Sequence, residues 1–245
     1  MIEKAEEYGK LEFDISNIWM QRMCEGMDWC RLHGDGVLVA SLRGADGPLD
    51  MANGIMGNSI FFEFFEDEEN MAKVMEICTK ACDAMCTMQK EHASNIDGGY
   101  VTAMGNLWMP DPMFGQISVD AAMMSGPEIY EEFEKPYLEQ LAEKYQGFLL
   151  HTHMLGWRMH RILAETKGVH IIRPSEDPKQ PLVKDAIESL LEQSGDKTFM
   201  VEVKKEDIEE MVPHFVGRKV IFELEADDQE DAWRQMDEIH TILDV

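Results

Sequence analysis

Basic residues are scarce in this chain of 245 residues, which has 22 lysines and arginines against 48 aspartates and glutamates and a formal net charge of −26. That negative field repels phosphate backbones and anionic lipid surfaces, so nucleic-acid and membrane partners are not expected. A long apolar run is also lacking: no stretch approaches the roughly 20 residues that span a bilayer, and the charged start MIEKAEEYGK is unlike a secretion signal. These absences predict a cytoplasmic protein that acts on a small molecule.

Short motifs that mark several enzyme classes are also missing. No GxGxxG turn or P-loop follows a predicted strand, and neither GxSxG nor HExxH occurs. The five cysteines are an odd number in a chain without an export signal, so disulfides are not expected. Three of them, Cys78, Cys82 and Cys86, recur every four residues, a spacing that predicts one packing stripe on a helix.

What the sequence does contain is an alternation of short apolar runs and amphipathic segments. Six runs have the composition of strands: 36–42, 98–104, 148–154, 169–175, 198–203 and 219–225. Helical patterns cover 16–33, 58–92, 127–145, 156–166, 181–193, 206–215 and 228–243. Repeated strand–helix units predict one α/β domain over 1–245 with a parallel sheet. Its first part, residues 1–35, is predicted to be a helical segment.

Two architectures fit this alternation, an open doubly wound sheet and a TIM-type (β/α)8 barrel. The missing nucleotide-binding turns remove the main sign of the open sheet. A barrel needs eight strands and six are counted, so we expect an incomplete barrel that lacks its first strand–helix units. The stretch 104–126 is long for a loop and too apolar for disorder, which predicts a lid or a pocket wall.

Histidines lie at the end of the third predicted strand. In FLLHTHM, His151 and His153 share one face because side chains alternate along a strand. Glu223 and Glu225 share a face of the last strand in the same way, and a barrel collects its chemistry at these carboxyl ends. Two histidines and a carboxylate can hold a divalent metal. The alternative is two ordinary imidazoles bonded to backbone carbonyls, with glutamates facing solvent.

Other candidate substrate-binding residues rest on position alone. Tyr100 lies on the second predicted strand, and Trp108 and Asp111 lie in the long loop, as does Asp120. Arg173 ends the fourth strand, where it could bind a substrate carboxylate or form a surface ion pair.

Two segments resemble the uroporphyrinogen decarboxylase superfamily. They are ISVDAAMMSGPEIYEEFEKPYLEQLAEKYQGFLLHTHMLG, with its Ser-Gly-Pro-Glu and Lys-Pro-Tyr-Leu turns, and GADGPLDMANGIMG followed by FFEDEENMAKVMEICTKACDAM. The likeness extends over about residues 36–240. It implies a (β/α)8 barrel of one of two kinds: cofactor-free decarboxylases of uroporphyrinogen, or zinc-dependent methyltransferases that work with corrinoid proteins and thiols.

The resemblance also implies a ligand set. The methyltransferases carry His-x-Cys at this strand end; His151 matches the histidine and His153 stands where the cysteine would be. No cysteine follows Cys86, so the third ligand is expected to be Glu223 or Glu225.

These observations favour a metal-dependent methyltransferase with zinc, whose methyl donor or acceptor is a corrinoid carried by a partner protein or a thiol. A tetrapyrrole decarboxylase of porphyrin biosynthesis is the alternative enzyme, although the arginine-rich first strand of that group has no counterpart. A third hypothesis is a non-catalytic barrel, or one completed by a second copy or another chain.

Overall fold

A computed structural model describes residues 1–244. The strands are β1 (Ala45–Asp46), β2 (Gly99–Val101), β3 (Trp108–Pro110), β4 (Gln116–Ser118), β5 (Phe148–His153), β6 (Val169–Ser175), β7 (Thr198–Val203) and β8 (Val220–Leu224). The helices are α1 (Ile18–His33), α2 (Pro48–Met56), α3 (Ile60–Glu66), α4 (Glu68–His92), α5 (Asp120–Ser125), α6 (Pro127–Phe133), α7 (Lys135–Tyr145), α8 (His160–Glu165), α9 (Ile187–Ser194), α10 (Ile208–Met211) and α11 (Gln229–Leu243). In this part of the chain no helix combines the length and apolar composition needed to cross a bilayer.

Six strands form one parallel sheet in the order β1-β4-β5-β6-β7-β8. Helices flank it, as the alternation in the sequence predicts, and the last four predicted strands are confirmed. Within residues 1–244 no pairing joins β8 to β1, so the sheet is TIM-like but not a closed barrel.

The first two predicted strands are wrong. Residues 36–42 hold no strand; only Leu42 forms an isolated bridge, and Val37 is 83% exposed. Residues 98–104 contribute β2, which pairs with β3 in an antiparallel hairpin instead of joining the parallel sheet. The sheet starts instead with β1 and β4, and β4 lies in the stretch 104–126 that was predicted to be a lid or a pocket wall.

The two faces of the sheet are buried in different ways. The outer face, with Leu150 and Val201, packs against the helices in the main core, where the cysteine stripe of α4 is also buried. The inner face would open into an incomplete barrel, and here the hairpin covers it. Met109 of β3 is buried against Leu149 and Met200, with further apolar side chains of the inner face around them. The hairpin thus removes from water the apolar surface on this face of the six-stranded sheet.

The predicted helix 58–92 is divided in two. Asp67, with extended φ of −151°, ends α3, and its side chain accepts the backbone N–H of Asn70 to start α4. Such a capping carboxylate satisfies a free N–H of the first helical turn.

Candidate metal centre

The two histidines of β5 meet at the carboxyl end of the sheet. His151 Nε2 lies 3.3 Å from His153 Nε2, and the rings meet edge to face at 4.9 Å between centroids. Both project from the inner face, as the alternation along the strand predicts. His151 is buried, and His153 is partly exposed towards the open rim.

A third side chain reaches this pair from a neighbouring strand end. Asp120, the first residue of α5, follows β4, and its Oδ1 lies 3.5 Å from His153 Nε2. One ligand atom from each of Asp120, His151 and His153 lies within 4.8 Å of the others. The sequence identified Asp120 only as a loop residue, since nothing local links it to the histidines.

The structure does not bring Glu223 or Glu225 to this cluster. Glu223 Oε2 accepts hydrogen bonds from Arg173 Nη2 at 2.7 Å and Nε at 3.0 Å. Glu225 follows β8 and is exposed, with its backbone carbonyl bonded to Gln235. In the structure the carboxylate beside the two histidines is therefore that of Asp120 and not that of Glu223 or Glu225, because Arg173 of β6 binds Glu223.

Two further carboxylates hold the cluster in place. Asp177 Oδ1 accepts a hydrogen bond from His153 Nδ1 at 2.9 Å. Asp50 accepts from the backbone N–H groups of Asp120 at 3.0 Å and Ala121 at 2.6 Å, and so caps the short helix that starts with Asp120. Burial raises the pKa of Asp50 and of Asp120.

Arg173 lies beside the histidines. Its Nη1 donates to Ser175 Oγ at 2.9 Å and approaches His151 Nδ1 at 3.5 Å. Burial, then the neighbouring His153 and the Arg173 cation, lower the pKa of His151 to about 4. His151 is therefore neutral at neutral pH, which is the form of imidazole that binds metals.

The cluster has the spacing of a metal site. Bonds of about 2.0–2.1 Å place neighbouring ligand atoms of a tetrahedral zinc site about 3.4 Å apart. Two of the three separations are close to this value: 3.3 Å between the two histidine Nε2 atoms and 3.5 Å between His153 Nε2 and Asp120 Oδ1, with all three ligand atoms within 4.8 Å of one another. Three protein ligands would leave a fourth position open, which is the pattern of catalytic sites. With two nitrogens and one oxygen the donor set is harder than a thiolate site, and zinc, iron(II) and manganese all suit it.

A cavity of about 430 Å³ opens at the same end of the sheet, between the ends of β6 and β7. Its lining includes Arg173, Ser175, Lys184, Glu202 and Lys204. Arg173 thus links the candidate metal centre to a space large enough for a small ligand.

The other predicted substrate-binding residues lie elsewhere. Asp111 pairs with Lys90 at 2.8 Å, and the same lysine covers the ring of Tyr100 at 5.4 Å. Both line a cavity of about 340 Å³ with Tyr145, which ends α7 and so lies at the amino end of the strands, away from the histidines. Trp108 donates its Nε1–H to the carbonyl of Ile96 and is half-exposed. Tyr100, Trp108 and Asp111 thus lie apart from the histidines, because β2 and β3 form a separate hairpin, and their role in substrate binding stays a prediction.

Comparison with solved structures finds a similar fold in a methyltransferase from Methanosarcina mazei. The TM-score is 0.56 at 12% identity, over 94% of this chain and 65% of that one. The chain therefore spans less than two thirds of that protein, and at this identity the likeness concerns the fold alone. No protein-family model matches the sequence, and no curated protein matches it.

Proposed function

We propose that this chain is a metal-dependent methyltransferase that binds a divalent ion, zinc in the first instance, through Asp120, His151 and His153. The observation that carries the proposal is that one ligand atom from each of these three side chains lies within 4.8 Å of the others. They lie at the carboxyl ends of parallel strands, where TIM-type enzymes place their chemistry. The fold likeness to a methyltransferase and the resemblance of the sequence to the uroporphyrinogen decarboxylase superfamily support the reaction class.

The roles of the residues follow from their contacts. A bound ion would act as a Lewis acid that lowers the pKa of the methyl acceptor, so that its anion exists at neutral pH. Asp120 and the two histidines would provide the ligand atoms, and Asp50 fixes the turn that carries Asp120 through two backbone hydrogen bonds. The cavity beside Arg173 receives the acceptor, and a corrinoid carried by a partner protein would supply the methyl group from the open rim.

Completion of the sheet by a second chain is a separate proposal. One edge of β8 has no strand partner within residues 1–244, and an unpaired edge offers a row of free backbone groups. A second copy or another protein would cover this edge without changing the ligand set. Sedimentation of the protein alone and with an added corrinoid protein tests this directly.

Elemental analysis tests the metal proposal. Protein purified without chelator, or loaded with zinc and dialysed, is expected to hold one ion per chain. Asp120→Asn and His151→Ala should lose it, and Glu225→Gln, an exposed carboxylate change at the same rim, should keep it. Full occupancy in both ligand variants, or none in the natural sequence, would overturn the site.

Catalysis is tested with the loaded protein. Methylcobalamin and a thiol are mixed with it, and the visible spectrum of the corrinoid reports loss of the methyl group. Incubation with uroporphyrinogen is the parallel assay, and release of decarboxylated products there would favour the tetrapyrrole alternative.

A further inference from the structure

Asp177 connects the turns that follow β6 and β5. Its Oδ1 accepts the hydrogen bond from His153 Nδ1 at 2.9 Å, and its Oδ2 accepts the backbone N–H of Leu155 at 2.7 Å. Each oxygen therefore has its own donor, and the plane of the carboxylate is fixed from both sides. Asp177 is not placed to be a ligand itself, because it contacts Nδ1 of His153 whereas the cluster is formed through Nε2.

We infer that Asp177 is a positioning residue that keeps the ring proton of His153 on Nδ1 and leaves Nε2 free to bind a metal. The inference rests on the proposed function. An ionised carboxylate only accepts hydrogen bonds, so the nitrogen that faces it must carry the proton. In neutral imidazole the other nitrogen then holds a lone pair, and such carboxylate–histidine pairs orient metal ligands in many sites.

A purely structural role for Asp177 makes a different prediction. If Asp177 served only to hold the turn through Leu155, any side chain that accepts this N–H would replace it. In Asp177→Asn the amide oxygen can still accept from Leu155, but the amide NH₂ then faces His153 Nδ1. A donor at that position requires Nδ1 to be an acceptor, which moves the ring proton to Nε2 and blocks the ligand atom.

The test uses the full chain in two measurements. Nitrogen-15 NMR of the histidine rings in metal-free protein is expected to show His153 protonated on Nδ1 in the natural sequence and on Nε2 in Asp177→Asn. Zinc titration against a competing chelator is expected to show about 10- to 100-fold weaker binding for Asp177→Asn. Glu176→Gln removes the same charge from the exposed neighbouring residue and should change neither result.

The outcomes separate the two proposals. If natural His153 is protonated on Nε2, or keeps its tautomer in Asp177→Asn, Asp177 does not direct the ring and the inference is overturned. The first of these measurements needs no variant to fold. A tautomer that switches with no change in zinc affinity also overturns it. If the natural protein takes up no zinc at all, the proposed function is lost, while the ring measurement still decides what Asp177 does to His153.

Discussion

The buried side chain of Glu134 makes the stability of this protein depend on pH in a way that can be tested. It lies between α6 and α7, with no exposed surface. Its Oε2 accepts the backbone N–H of Leu49 at 2.7 Å, whereas Oε1 has no hydrogen-bond partner among the described residues. Burial, and then the negative charge of Asp50, raise the pKa of Glu134 well above its ordinary value of 4.5. Leu49 is the second residue of α2 and precedes Asp50, so Glu134 holds the helix start whose Asp50 accepts the backbone N–H of Asp120.

The magnitude follows from proton linkage. Above pH 4.5 the unfolded chain ionises Glu134 while the folded chain keeps its proton. The folded state then binds more protons than the unfolded state, so the free energy of unfolding falls as pH rises. The slope from this one group approaches about 1.4 kcal/mol per pH unit, and the loss ends when the pH passes the folded-state pKa.

Glu134→Gln removes this dependence, because glutamine is neutral at every pH and still accepts the N–H of Leu49. Urea unfolding of both proteins at pH 5, 6 and 7 is expected to show the variant gaining stability relative to the natural sequence as the pH rises, because burial raises the pKa of Glu134 well above 4.5. Glu132→Gln, the same substitution at an exposed position of α6, should follow the natural profile. A difference between Glu134→Gln and the natural sequence that stays constant from pH 5 to 7 would refute a protonated Glu134.

Three further predictions concern stability. Met109→Ala should lower the free energy of unfolding by about 2–5 kcal/mol, because the side chain fills the inner face of the sheet, and Met124→Ala at an exposed position should change it by less than about 0.5 kcal/mol; urea unfolding measures both. Gly47→Ala would place a methyl group 2.6 Å from the carbonyl oxygen of Ser118 and should therefore lower the melting temperature. An unchanged melting temperature would show that the contact is not tight. Burial lowers the pKa of His160 from 6.5 to about 4, so stability that is present above pH 6.5 is lost as the pH falls to about 4. Over this range the free energy of unfolding of His160→Gln should fall by about 3 kcal/mol less than that of the natural sequence, as measured by urea unfolding.

The four long strands could be predicted from the sequence because each carries several apolar residues in a row, bounded by turns. β1 and β4 could not, since two or three residues are too few to show a period. Residues 36–42 had the composition of a strand, yet Val37 and its neighbours are exposed and no strand pairs with them. Composition alone therefore does not specify a strand that lacks a partner.

The pairing of His151 with His153 was a local property. Side chains two residues apart in a strand share a face whatever surrounds them, so the sequence determined that both rings point inward, together with the α/β class and the parallel arrangement of the main sheet.

The third member of the cluster was decided by the tertiary structure. Glu223 lies at the end of β8 and Asp120 follows β4 of the same sheet, and the residues next to them in the sequence do not show which carboxylate lies beside the histidines. Arg173 of β6, which lies between β4 and β8 in the sheet, binds Glu223. Asp120, at the capped start of α5, lies beside His153. Faces of a strand are set by covalent geometry over two residues, but which carboxylate meets a given imidazole depends on charges and caps that only folding brings near.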